Sequence, residues 1–162
     1  CKDLGADNNR LNQHMKYMKR ASAFFSKPLV IITEHLSWKE NFMAKLLVHI
    51  HSHPEMKNNV TMGLLVAVTG LKEGHDVEIF LAADGVHLLN CKNEGEIVGQ
   101  GTGDVKLHLD ALKEENVKMF VSGMSSKARG YDESLLEGYN AEFAMPDTLI
   151  KRSINADSVL CY

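Results

Sequence analysis

Proline and cysteine are scarce, with three of each in 162 residues, and tryptophan occurs once. Cys1, Cys91 and Cys161 form no Cys-x-x-Cys and no paired spacing, which excludes a zinc ribbon and a disulfide framework and fits free thiols in a reducing compartment. No apolar run approaches the roughly eighteen residues that a membrane-crossing helix needs. The net charge of −3 is small and of the wrong sign for binding driven by phosphate neutralisation, so no nucleic-acid partner is expected. Hydrophobic residues at 44% and charged residues at 24% exclude a wholly disordered, collagenous or low-complexity chain. The length suits one domain that buries its own core.

Charge is unevenly spread. Residues 1–27 carry six Lys or Arg against Asp3 and Asp7, a balance of +4 that leaves −7 on residues 28–162. The first stretch reads as an N-terminal amphipathic extension and the second as an α/β domain. Leu11, Met15, Met18 and Phe25 recur at helical spacing with Lys16, Lys19 and Arg20 between them. That pattern suits a helix packed on its own domain, on a neighbouring subunit or on a membrane surface. Free thiols point to a cytoplasmic protein; the alternative is a bacterial cell-envelope lipoprotein processed at Cys1.

After Pro28, short apolar runs alternate with helical stripes. Leu29–Thr33, Val77–Ala82, Val117–Val121 and Ser158–Tyr162 read as strands covered on both faces, and Ala141–Ala144 as a short fifth. Ser37-Trp38-Lys39-Glu40 has the form of a capping box, followed on one helical face by Phe42, Met43, Leu46, Leu47 and Ile50. Val60, Leu64, Ala67, Val68 and Leu71 form a second helical stripe, stopped by Gly74. Asp104 and Asp132 are placed to cap further helices, and Pro146 to open one. Alternation of this kind predicts a three-layer, mostly parallel sheet with helices on both faces.

Ligands of such sheets bind beyond the carboxyl ends of the strands. The expected pocket is therefore built from Thr33, Glu34 and His35 after the first strand, Asp84 and Gly85 after the second, and Ser122, Gly123, Met124 and Ser125 after the third. Small residues there let backbone amides approach a small or anionic ligand. Ser122 activated by His35 or His87 is disfavoured as a nucleophile, because no Gly-x-Ser-x-Gly elbow surrounds it. Gly99-Gln100-Gly101-Thr102-Gly103 lacks both the Walker lysine and the G-x-G-x-x-G order, so it reads as a flexible connector and no cofactor is expected. His49, His51 and His53 are candidate metal ligands, sharing a side if the segment is extended; the competing reading is a solvated helix end stopped by Pro54.

Gly74-His75-Asp76-Val77-Glu78-Ile79-Phe80-Leu81, then Asp84-Gly85-Val86, Leu112 through Val117, Val121-Ser122-Gly123, Arg129-Gly130 and Ala156-Asp157-Ser158-Val159-Leu160 together resemble the DsrE/DsrF-like sulfur-relay family over about residues 29–162. The resemblance implies a flavodoxin-like subunit that assembles into homotrimers or hexamers and works with sulfur-relay partner proteins. It also adds Arg129 to the candidate pocket. In sulfur-carrying members the persulfide cysteine ends the third strand, seven residues before the arginine of Arg-Gly, and here that position is Ser122. A hydroxyl cannot take part in thiolate exchange, which needs a sulfur nucleophile and a sulfur leaving group. The leading expectation is a homo-oligomeric, non-catalytic binding or structural member of a sulfur-related system. The alternatives are a sulfurtransferase using Cys91 and a metal-binding protein using the three histidines. Cys161 is expected to pack within the last strand.

Overall fold

The computed structural model describes residues 43–90 and 97–162, all within a compact unit running from Lys39 to Tyr162. Its elements in order are β1 (Lys45–Ile50), α1 (Lys57–Lys72), β2 (Asp76–Leu81), a 3-10 helix (Ala83–Leu89), β3 (Val98–Gly99), β4 (Gly103–Asp104) and α2 (Val105–Glu114). There follow β5 (Lys118–Ser122), α3 (Gly123–Ala128), a short 3-10 turn (Glu133–Leu136), β6 (Ala141–Ala144), α4 (Pro146–Asn155) and β7 (Ser158–Cys161). The main sheet has the order β6-β5-β2-β1-β7, and every neighbouring pair is parallel. This is the three-layer α/β architecture that the alternation predicts.

Strand alternation sorts the apolar residues between two faces. Leu46, Val48 and Ile50 of β1, with Ile79 and Leu81 of β2 and Met119 and Val121 of β5, lie under α1 and α2, whose Val60, Leu64, Ala67, Val68, Leu109 and Leu112 complete one large core. Leu47, Phe80, Phe120 and Ala144 form a smaller cluster on the opposite face, with Leu149 and Ala156 packed against it. Each wholly buried Leu or Phe contributes roughly 1.5–3 kcal/mol relative to exposure. On the second face α4 buries none of its own residues. Its Arg152 guanidinium lies 4.7 Å from the Phe120 ring centre and 3.2 Å from the buried carboxylate of Glu78. Lys45 reaches the same carboxylate at 3.2 Å.

Several local signals act as expected. Asp104 caps α2 by accepting from the Lys106 amide at 2.9 Å, Pro146 opens α4, and α1 gives way at Gly74, whose φ of +85° suits a residue without a Cβ. Asp132 caps only a single 3-10 turn. Gly99–Gly103 is a two-stranded hairpin packed against α1, tied by Thr61 to Thr102 and by Gln100 N–H to Asn58, not a loose connector. Among the described residues no helix is long and apolar enough to cross a membrane.

The largest correction concerns residues 45–50. The helix expected through Met43, Leu46, Leu47 and Ile50 is replaced by β1, flanked by β2 and β7. A strand buried on both faces has no two-residue alternation to display, so its apolar run mimics a helical stripe. The expected strand at Leu29–Thr33, the pocket residues Thr33, Glu34 and His35, the capping box, the N-terminal helix and Cys91 lie outside the described residues.

The turn after β2 packs closely against the end of β1. Ala82 N–H donates to the Ile50 carbonyl at 3.1 Å, Ala83 adopts φ +48°, and a Cβ on Gly85 would stand 2.3 Å from the Ile50 oxygen. Backbone cannot yield as a side chain does, so Gly85→Ala is expected to lower stability by about 1–3 kcal/mol. Urea denaturation checks this, with a reduced midpoint as the expected result.

Candidate functional site

The carboxyl ends of β1, β2 and β5 face the same end of the sheet because their pairing is parallel and nearly in step: Ile50 pairs with Leu81, and Leu81 with Val121. Beyond these ends stand His51-Ser52-His53, the Ala83–Leu89 turn and the start of α3. Asp84, Gly85, Ser122, Gly123, Met124, Ser125 and Arg129 thus stand at one end, or mouth, of the sheet. The loop after β1, residues 51–53, stands at the same end; the expected contributors Thr33, Glu34 and His35 lie outside the described residues.

A clamp joins the β2 and β5 exits. The Arg129 side chain donates through Nε to Asp84 Oδ1 at 3.2 Å, a second guanidinium nitrogen approaches the same oxygen, and Nη1 donates to the Ser125 carbonyl at 3.0 Å. Ser125 Oγ accepts from the strained Ala83 N–H at 3.1 Å. Ser122 Oγ accepts from the Ser125 amide at 3.3 Å and so caps α3. The hydroxyl at the strand end therefore has a local structural role of its own. The neighbouring Ser126 is almost fully buried, and its hydroxyl has no partner among the described residues.

Histidines stand on two sides of this clamp. His53 accepts the Glu55 amide on Nδ1 at 3.2 Å and packs edge-on to His87, with ring centres 5.4 Å apart. His87 Nδ1 meets the Tyr131 hydroxyl at 2.6 Å, and Asn90 donates to that hydroxyl at 3.4 Å. His49 and His51 diverge to the α4 face, 5.5 Å from each other, where His51 N–H and the His51 ring both donate to the Tyr162 carbonyl. The three candidate metal ligands do not converge, and among the described residues no group of three His, Cys, Asp or Glu is arranged to hold a metal ion. Apart from the mouth, an open groove of about 440 Å³ lies at the start of α1, lined by Met56, Asn58, Val98 and Gln100 among others.

Sequence reasoning missed Tyr131 and Asn90, set His87 in the loop after the second strand and weighed it as a base for Ser122, and left His53 open between a helix end and an extended segment. The signal that was present is the position of His87 inside the turn after a recognised strand. The signal that was absent is the strand identity of residues 45–50, without which His53 has no address. Cys161 also departs from expectation: it lies in β7 but is exposed.

The Asp84 carboxyl is held below its ordinary range, first by the Arg129 hydrogen bond and also by the nearby positive charges of Arg129, His53 and His87, against a partial desolvation cost. A depressed carboxylate pKa stabilises the folded state above the unfolded value, about 3.9, and that contribution is lost as pH falls through the folded value. The difference in unfolding midpoint between the natural protein and Asp84→Asn is therefore expected to be constant near neutrality. It shrinks below about pH 4, as read by denaturation at a series of pH values.

A family model described as the DsrE/DsrF-like family matches residues 44–162. The crystal structure of the YchN protein from E. coli superposes with a TM-score of 0.63 at 20% identity, covering 74% of this chain and all of that one. At that identity the likeness carries the fold alone. No curated protein matches.

Proposed function

The chain belongs to the DsrE/DsrF-like family, and from that premise we propose that it is a homo-oligomeric, non-catalytic binding or structural member of a sulfur-relay system. Ser122 carries this reading. It ends the third strand of the main sheet in chain order, seven residues before Arg129, the position that the family resemblance assigns to the persulfide cysteine of sulfur-carrying members. A serine oxygen offers neither the thiolate for attack nor a sulfur leaving group, and here it is engaged in capping α3. What the mouth retains is recognition: small residues at Gly85 and Gly123, a rigid clamp, and the imidazoles of His53 and His87. Its ligand is a small or anionic molecule, bound in a reducing, cytoplasmic setting.

Assembly belongs to the same proposal. α4 is amphipathic yet buries none of its residues, leaving Met145, Ile150 and Ile154 more than half exposed beside Val159 of β7. A trimer or hexamer that covers such a stripe is expected in solution. Light scattering at micromolar concentration checks this, and a strictly monomeric mass contradicts it.

A second reading, sulfur transfer by Cys91, draws on one observation: Asn90, its neighbour in sequence, donates to the Tyr131 hydroxyl at the mouth. Incubation with inorganic polysulfide followed by intact mass separates the two. The natural protein is expected to show no adduct that depends on Cys91, whereas Ser122→Cys gains one sulfur. An adduct on the natural protein that disappears in Cys91→Ser overturns the non-catalytic reading.

A further inference from the structure

A second cluster of reactive groups lies away from the mouth just described, on the α4 face where β1 and β7 end together. His49 and Cys161 are directly paired across these parallel strands, so their side chains emerge on the same face. Cys161 is exposed, and its Sγ lies 4.0 Å from His49 Nδ1. The other ring nitrogen, Nε2, is buried and has no partner among the described residues, and the ring stands edge-on to Phe80 with centres 5.7 Å apart. A buried N–H without an acceptor is rarer and costlier than a buried lone pair without a donor. The ring proton therefore belongs on Nδ1, the nitrogen that faces the sulfur. Burial, and then the neighbouring His51, hold the His49 pKa below its usual value, so the ring is a neutral donor near pH 7.

We propose that Cys161 and His49 form a thiol-exchange site for low-molecular-weight disulfides. The imidazole N–H stabilises the sulfur as it carries negative charge, and the exposure of Cys161 leaves that sulfur open to approach. The Cys161 proton passes to water, and Sγ attacks one sulfur of the disulfide. The new Sγ–S bond forms as the old S–S bond breaks, and the departing thiolate takes a proton from water. Cys161 is oxidised to the mixed disulfide and the departing sulfur is reduced by the same two electrons. The site is independent of the reading given to Ser122.

The probe is 5,5′-dithiobis(2-nitrobenzoate) near neutral pH, with peptide mass spectrometry resolving Cys161 from Cys1 and Cys91. Modification of Cys161 is expected to run about tenfold faster in the folded protein than in the same chain unfolded in urea. His49→Phe brings the folded rate down to the unfolded one, and His49→Gln, which keeps an N–H donor, restores most of the difference. A folded rate equal to or below the unfolded rate overturns the proposal, as does an unchanged rate in folded His49→Phe. Because the first comparison uses the natural sequence, the test stands even if His49→Phe does not fold.

Discussion

The Asp84–Gly85 turn passes the end of β1 at a distance that leaves no room for a Cβ, and the geometry of the candidate site follows from that contact. Parallel pairing brings the carboxyl ends of β1, β2 and β5 level, but level ends alone do not make a site. The turn must fold back over Ile50 for Asp84 to meet Arg129. It does so by placing Ala83 in a backbone conformation that non-glycine residues rarely adopt. The cost is offset by specific partners: Ala83 N–H finds Ser125 Oγ, and Ala82 N–H finds the Ile50 carbonyl.

Once the turn is fixed, the chemistry of the mouth is settled by which groups remain uncommitted. Arg129 spends its guanidinium on Asp84 and the Ser125 carbonyl, and Ser122 spends its oxygen on the first turn of α3. Where β1 pairs with β7, an imidazole stands beside an exposed thiol. The two ends of β1 side-chain alternation thus serve different purposes. Leu46, Val48 and Ile50 build the core that positions the mouth, and His49 and His51 face the sparsely covered side.

The architecture was legible in the chain because its punctuation is strong. Asp104, Pro146 and Gly74 each mark a boundary through a local interaction that needs no tertiary partner. Asp84 and Ser122 were legible for a related reason, since each lies at the end of a strand recognisable from its apolar run, whereas Arg129 entered only through the family resemblance. The identity of β1 was not legible: Leu46, Leu47 and Ile50 satisfy helical spacing and a doubly buried strand equally well, and only the partners β2 and β7 decide between them. That one ambiguity hid His53 from the mouth and His49 from Cys161. Tyr131 was beyond reach, because its link to His87 spans 44 residues and no periodicity encodes it.

The central claim, that oxygen stands where relatives keep their transferable sulfur and no other residue takes over the carrier role, is tested most directly by cyanolysis of the protein as isolated from cells. The account predicts no cyanide-labile sulfur above the level of a variant with all three cysteines replaced by serine. Close to one equivalent of labile sulfur per chain would contradict it.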